Sequence, residues 1–326
     1  MNSITIDNVK IGANYPPYLV AEMSGNHNGN IDNAFKIIDR AKNAGANAIK
    51  IQTYTADTIT IDSDLPEFRI NDGLWKGKKL YDLYKLAHTP WEWHPKLFNY
   101  AKEKGLTLFS SPFDKSAVDF LEDLNCPAYK IASFELIDIP LIKYVASTKK
   151  PIIMSTGMAN LEEIKEAVSA CRDSGCKNIA LLHCVSSYPA DPSEYNLKTI
   201  SDLGSKFNLV VGLSDHTIDN TTAITSVSQG TSIIEKHFTL DRNGGGPDDS
   251  FSIEPSEFQE LSKSTKVAWN ALGKVNYEKT KSEIGNIIFR RSLYFIKDLK
   301  KNERITHEHI KSIRPGYGIK PKYYDD

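Results

Sequence analysis

Cysteine is scarce in this sequence. Four residues, Cys126, Cys171, Cys176 and Cys184, are spread over 326 positions, and no two stand at the C-x-x-C spacing of a redox pair or zinc site. A chain this long needs no disulfide staples, so a reduced, cytoplasmic protein is expected. Charge of one sign is also missing. Forty Lys and Arg face 41 Asp and Glu, for a net charge of −1, and no basic block is present. That balance argues against a nucleic-acid or membrane-surface partner. No apolar run is long enough for a membrane span, and no segment resembles a signal peptide. What is present is ordinary globular composition, 40% apolar and 25% charged. The length allows one large domain or two.

Apolar runs recur at a steady interval. Residues 3–12 alternate and predict a short hairpin ahead of the main fold. Strands are then expected over 18–22, 46–51, 106–109, 128–132, 151–154, 179–182, 209–213 and 232–234. Ile31, Ala34, Ile37, Ile38 and Ala41 keep helical spacing. Further helices are expected over 91–104, 116–124, 139–147, 161–173, 220–229 and 256–272. A polar excursion over 54–79 is too long for an ordinary βα connection, and long loops are often functional. Eight parallel βα units predict a (β/α)8 TIM barrel. An open doubly wound sheet is the alternative, but the first βα turn, GNHNGN, lacks the dinucleotide glycine fingerprint. The barrel, with its hairpin, is expected over 1–273, followed by a linker over 274–284. Residues 285–326 form a small module, too short for a convincing core of its own.

Polar residues gather at the strand ends, where barrel enzymes carry their chemistry. The last two strands run into Ser214-Asp215-His216 and Glu235-Lys236-His237. Parallel neighbours lie about 5 Å apart, so His216 and His237 can reach one divalent cation from the same rim. A single histidine there is more often a satisfied structural side chain; the matched pair points to a metal. Strand alternation also pairs Glu22 with Ser24, Lys50 with Gln52, Ser214 with His216 and Glu235 with His237 on common faces. A lone lysine on a strand is usually solvated. Four matched pairs in one mouth are hard to assign to a passive core, because buried charge is costly unless paired. Lys50 and Lys130, with Ser133, Ser155, Ser186 and Ser214, make a phosphate or carboxylate cradle. The Gly244-Gly245-Gly246-Pro247 run reads as a flexible lid, or as a second phosphate loop.

The segments AEMSGNHNG, AIKIQTYTADT, FSSPFD, YKIASFE, STGMA, HCVSSYP, GLSDHT, EKHF, RRSLY and RPGYG resemble the sialic acid synthase family, from about residue 4 onward. The resemblance implies a (β/α)8 barrel followed by a C-terminal antifreeze-like (SAF) domain, within which this chain would stop, in a domain-swapped homodimer. It implies an enzyme that condenses phosphoenolpyruvate with an amino sugar by C–O cleavage, releasing phosphate and forming a nine-carbon sugar acid. GLWKGKKLYDLY, TPWEWH and GGGPDDSFSIEP are most similar to the branch that takes 2,4-diacetamido-2,4,6-trideoxy-L-altrose. The sialic and legionaminic branches are the alternatives.

By motif, His216 and His237 match the metal ligands, with Mn2+ usual and Mg2+ or Co2+ as alternatives. Lys50, Lys130, Ser133, Ser155 and Ser214 match phosphoenolpyruvate-binding positions. Ser186 stands where the family often carries Asn. Glu22, Gln52, Glu135 and Asp248 match polar positions around the metal, its water and the sugar, and Glu22 or Glu135 is expected to handle the water proton. Arg314 matches an arginine sent across the dimer. From the residues alone two rival classes stay open. One is a Schiff-base aldolase using Lys130 or Lys50; the other is a non-catalytic sugar-binding protein.

Overall fold

The structure, a computed structural model, describes residues 3–326. The chain divides into two compact units, one up to Gly273 and one from Lys274 to Asp326.

The first unit opens with β1 (Ser3–Ile6) and β2 (Val9–Gly12), an antiparallel hairpin. Its two-residue turn, Asp7-Asn8, has φ of 47° and 67°, the doubly positive conformation that suits the twist of paired strands. Asp7 accepts a hydrogen bond from Thr107, the first residue of β5, so the hairpin sits at the N-terminal end of the strands.

Eight parallel strands then close into a barrel: β3 (Tyr18–Glu22), β4 (Ala48–Thr53), β5 (Thr107–Pro112), β6 (Tyr129–Ile131), β7 (Ile152–Ser155), β8 (Ile179–Cys184), β9 (Val210–Asp215) and β10 (Ile233–His237). Closure is made by β10, which pairs with both β9 and β3. The connecting helices are α1 (Ile31–Asn43), α2 (Ala56–Ile59), α3 (Leu80–Ala87), α4 (His94–Glu103), α5 (Lys115–Asp123), α6 (Ile139–Ser147), α7 (Leu161–Asp173), α8 (Lys198–Phe207), α9 (Thr221–Ser226) and α10 (Pro255–Leu272). Among the described residues, no helix is long and apolar enough to cross a membrane.

Local chemistry starts these helices in register with the strand ends. Asn30, Asp114, Asp138 and Asn160 each accept hydrogen bonds from first-turn amides, and Glu163 completes a capping box with Asn160. On α1 the buried residues are Ala34, Ile37, Ile38 and Ala41, as their spacing predicts.

The structure departs from the sequence reading in three places. Strand β10 runs through His237 rather than stopping at 234, so the polar cluster lies on the strand itself. The crossover after β9 is shorter, with α9 followed by one 3-10 turn, stopped at Gly230 with φ of 88°. Helices α2, α3 and α8 were not expected. The second unit contains an antiparallel pair, β11 (Ser292–Phe295) and β12 (Ile310–Ile313), and Arg314 follows β12 as an exposed residue.

Candidate active site at the strand ends

Register aligns the charged residues. Glu22 on β3 stands beside Lys50 on β4 and beside His237 on β10, and Glu235 stands beside Ser214 on β9. Neighbours in parallel register share a face, so these side chains enter the barrel together. Lys50 Nζ lies 2.8 Å from Glu22 Oε2 and 3.5 Å from Glu235 Oε1. Lys130 Nζ reaches the same Glu235 oxygen at 3.5 Å. Gln52 donates to Glu22 at 2.8 Å and to Ser24 at 3.1 Å, and Ser24 donates to Asp248. Glu22, Gln52, Lys50, Lys130 and Asp248 are therefore one connected group.

Burial sets the electrostatics. It lowers the affinity of Lys130 for its proton, and the single distant carboxylate does not make up the difference. Burial works against the proton of Lys50 too, but Glu22 and Glu235 outweigh it and raise its pKa. Burial pushes the Glu22 carboxyl up, whereas for Glu235 the two lysines outweigh burial and hold it down. Glu135, just beyond β6, is raised by burial to about 7. Its Oε2 has no hydrogen-bond partner, and neither do Glu235 Oε2 and Ser155 Oγ. Buried polar atoms are normally paired, so such a concentration in one mouth needs an explanation, and an absent ligand supplies one.

The hydroxyl side is built around a glycine. Gly157, after β7, donates its amide to Ser133 Oγ at 3.2 Å. A Cβ there would lie 2.2 Å from Ser186 Oγ and 2.7 Å from Ser133 Oγ. Only glycine lets this loop pass between the two serines. Ser155 shares the face of Lys130, because Lys130 stands beside Ile153 and the strand alternates.

The two histidines come together, with ring centroids 5.5 Å apart. His216 Nδ1 lies 2.8 Å from the Val185 carbonyl, which can only accept, so Nδ1 carries a hydrogen and Nε2 is the nitrogen left to meet a ligand. The amide of His216 donates to the Tyr195 hydroxyl at 2.7 Å. His237 is driven by burial, and then by His216, well below the usual imidazole range. Its buried Nδ1 has no partner. A neutral imidazole with an orphaned nitrogen beside a second one, oriented by a carbonyl, fits a divalent cation. Among the described residues no group of three His, Cys, Asp or Glu could hold a metal. The two imidazoles are thus the candidate ligands, and any other position on a cation held there would be left to water or substrate.

Several residues of this mouth were not singled out from sequence as site residues. Glu235, bridging both lysines, was legible as the residue two before His237. Tyr188 and Phe251 were not. The Tyr188 ring lies 4.3 Å from His216, and Phe251 lies 5.0 Å from His237. Nor is the glycine run after β10 a free phosphate loop. The Gly246 amide already donates to Asp249 at 2.8 Å, and Asn28 from the first βα loop donates to the same carboxylate oxygen at 3.0 Å. A third buried lysine, Lys236, points to the other face of β10. It donates to Asp215 at 2.7 Å and to the carbonyls of Thr217 and Asp219 at 2.6 and 2.8 Å. It clamps the segment that carries His216.

Comparison with known proteins bears on this geometry. The NeuB family model matches residues 37–277. The chain is 42% identical to the pseudaminic acid synthase of Campylobacter jejuni subsp. jejuni serotype O:2 over 309 residues, 95% of this chain and 90% of that protein. It is 37% identical to the N,N'-diacetyllegionaminic acid synthase of the same organism over 312 residues, covering 94% and 93% of the two. Among solved structures, it resembles an N-acetylneuraminic acid (sialic acid) synthetase from Leptospira borgpetersenii serovar Hardjo-bovis in complex with citrate. The TM-score there is 0.79 at 33% identity, over 88% of this chain and 95% of that one.

Proposed function

The chain belongs to the NeuB family, and from that premise we propose that it is a pseudaminic acid synthase. It condenses phosphoenolpyruvate with 2,4-diacetamido-2,4,6-trideoxy-L-altrose to give pseudaminic acid and phosphate. The observation that carries this reading is the pair of buried lysines sharing Glu235 beside two close imidazoles. Such a mouth suits an anion next to an electrophile.

In this reading Lys50, Lys130, Ser133, Ser155, Ser186 and Ser214 hold the phosphate and carboxylate of phosphoenolpyruvate. His216 and His237 hold the divalent cation, with Mn2+ the first choice. Bound there, it supplies Lewis-acid polarisation of the sugar aldehyde. C3 of phosphoenolpyruvate bonds to the aldehyde carbon, whose oxygen takes up a proton. A water oxygen adds to C2 and gives up one proton; as the C2–O bond to phosphate breaks, that oxygen becomes the C2 carbonyl and its second proton leaves with the phosphate. Glu135 suits that proton transfer, with a free oxygen and a pKa raised to about 7 by burial. Glu22 is occupied by Lys50 and Gln52, and serves to orient. Asp248 and Gln52 face the sugar.

The reading extends to the second unit as SAF-domain sequence over 285–326 after a linker over 274–284. It also covers a domain-swapped homodimer in which Arg314 reaches the partner's sugar, and a cytoplasmic setting. The lowered proton affinity of Lys130 also favours a Schiff-base aldolase. Borohydride trapping with a pyruvate-like substrate separates the two.

The test is phosphate release from phosphoenolpyruvate with the L-altrose, legionaminic-precursor and N-acetylmannosamine acceptors, before and after EDTA. Release with the first alone, lost on EDTA and restored by Mn2+, is expected. Release only with another acceptor reassigns the sugar, and full activity in metal-stripped enzyme removes the metal.

A further inference from the structure

The excursion between β4 and β5 is tied at its base. Lys79 pairs with Asp62 at 2.5 Å and with Asp64 at 3.1 Å, and Arg69 pairs with Asp64 at 3.3 Å. Arg69 and Lys79 form an antiparallel bridge, and the Ile70 amide donates to Lys78. The tip turns at Gly73 and Gly77, with φ of 76° and 85°, and presents Trp75 between them.

Trp75 does not point into solvent. Its Nε1 donates to the Pro247 carbonyl at 3.0 Å, in the loop that carries Asp248. Its ring lies 5.9 Å from Tyr188 and 6.2 Å from Phe251. Those two rings in turn lie 5.9 and 5.0 Å from His237. Trp75 is therefore one ring removed from the imidazole pair. Its only donor is already used, Phe251 has none, and Tyr188 alone retains a polar atom.

We propose that Trp75, with Tyr188 and Phe251, forms an apolar wall that receives the deoxygenated C6 methyl end of the acceptor sugar. Trp75 thereby selects 6-deoxy over 6-hydroxy sugars. This rests on the synthase reading above. With the aldehyde at the histidines and phosphoenolpyruvate at the lysines, the far end of the open-chain sugar runs along the aromatic rings. A methyl group there gains contact. A hydroxyl there is dehydrated with only the Tyr188 hydroxyl to meet it, which costs free energy. A hydrophobic pocket rejects an added hydroxyl only about 100-fold, so the expected preference is of that order at most.

The experiment measures phosphate release with 2,4-diacetamido-2,4,6-trideoxy-L-altrose and its 6-hydroxy counterpart, in wild type, Trp75→Phe and Trp75→Ala. Trp75→Ala should cut the wild-type preference in kcat/KM by roughly 10-fold, within that pocket limit, and leave the KM for phosphoenolpyruvate unchanged. Trp75→Phe should keep most of the preference. A fluorescence change on adding acceptor without phosphoenolpyruvate should vanish in Trp75→Phe, with an unaltered thermal unfolding midpoint. An unchanged acceptor ratio in Trp75→Ala overturns this inference alone. So does an equal rise in KM for both substrates, which marks a structural role. No phosphate release from either acceptor in wild type overturns the synthase reading, and this inference with it.

Discussion

Lys236 and Lys130 sit on barrel strands, both almost fully buried, and face opposite ways. Lys236 has a carboxylate at 2.7 Å and two carbonyls within 2.8 Å. Lys130 has one carboxylate oxygen at 3.5 Å, shared with Lys50. The first is a closed account of hydrogen bonds and charge. The second leaves two of three ammonium protons without a protein partner. A buried ammonium is tolerated where the chain surrounds it with acceptors, and is costly where it does not. The difference separates a lysine that holds the fold from one that, on the proposed reading, awaits an anion.

The largest expected effect comes from breaking the closed side. Lys236→Met should strand Asp215 as an unpaired buried charge and cost about 3–5 kcal/mol, read by urea unfolding. Lys130→Met should show a clearly smaller loss, because Glu235 keeps Lys50. Equal losses for the two would erase the distinction. Next comes the open side. Lys130→Met should lower kcat/KM for phosphoenolpyruvate by roughly 10- to 150-fold, the worth of a charge-assisted hydrogen bond of about 1.5–3 kcal/mol. The KM for the sugar should hardly move, and a uniform rise in both would place Lys130 with Lys236.

The last effect concerns Glu135, another group with an unpaired buried atom. Its carboxyl, ordinarily at 4.5, is raised by burial to about 7. The folded state thus holds the proton more tightly than the unfolded one. The resulting stability is full below pH 4.5, falls as pH rises through 7, and is then level. His27 and His94, lowered by burial to about 4, act oppositely in acid, losing stability as pH falls from 6.5 through 4. The measurement is therefore the gap between wild type and Glu135→Gln across pH, which should shift in favour of the variant between 4.5 and 7. A flat gap would show that Glu135 is solvated.

Sequence made the barrel legible because strands buried on both faces leave continuous apolar runs. It missed α8, where Ile200, Leu203 and Phe207 are the only buried positions and Gly204 interrupts the pattern. It also missed α3, which buries Leu83 alone. In the site, alternation brought out Glu22 with Ser24, Lys50 with Gln52 and the histidine pair. Alternation puts Lys236 on the face away from Glu235 and His237, but that it is fully satisfied was not legible, because the carbonyls that satisfy it come from loop backbone. Tyr188, Phe251 and Trp75 sit on three separate connections, and only the folded chain brings them together.

The seam of the barrel also constrains how the protein is made. Glu22 and His237 stand side by side only across β3 and β10, the first and last strands of the cylinder. The Ser24–Asp248 hydrogen bond spans 224 positions. A nascent chain emerging from the ribosome therefore carries Lys130 for about a hundred residues of synthesis before its partner Glu235 exists. The imidazole pair cannot assemble until β10 has docked, so a chain ended upstream lacks it. Contacts so distant along the chain form late and slowly, and the interval before closure is when the unpaired edges of β3 and β9 are open to aggregation.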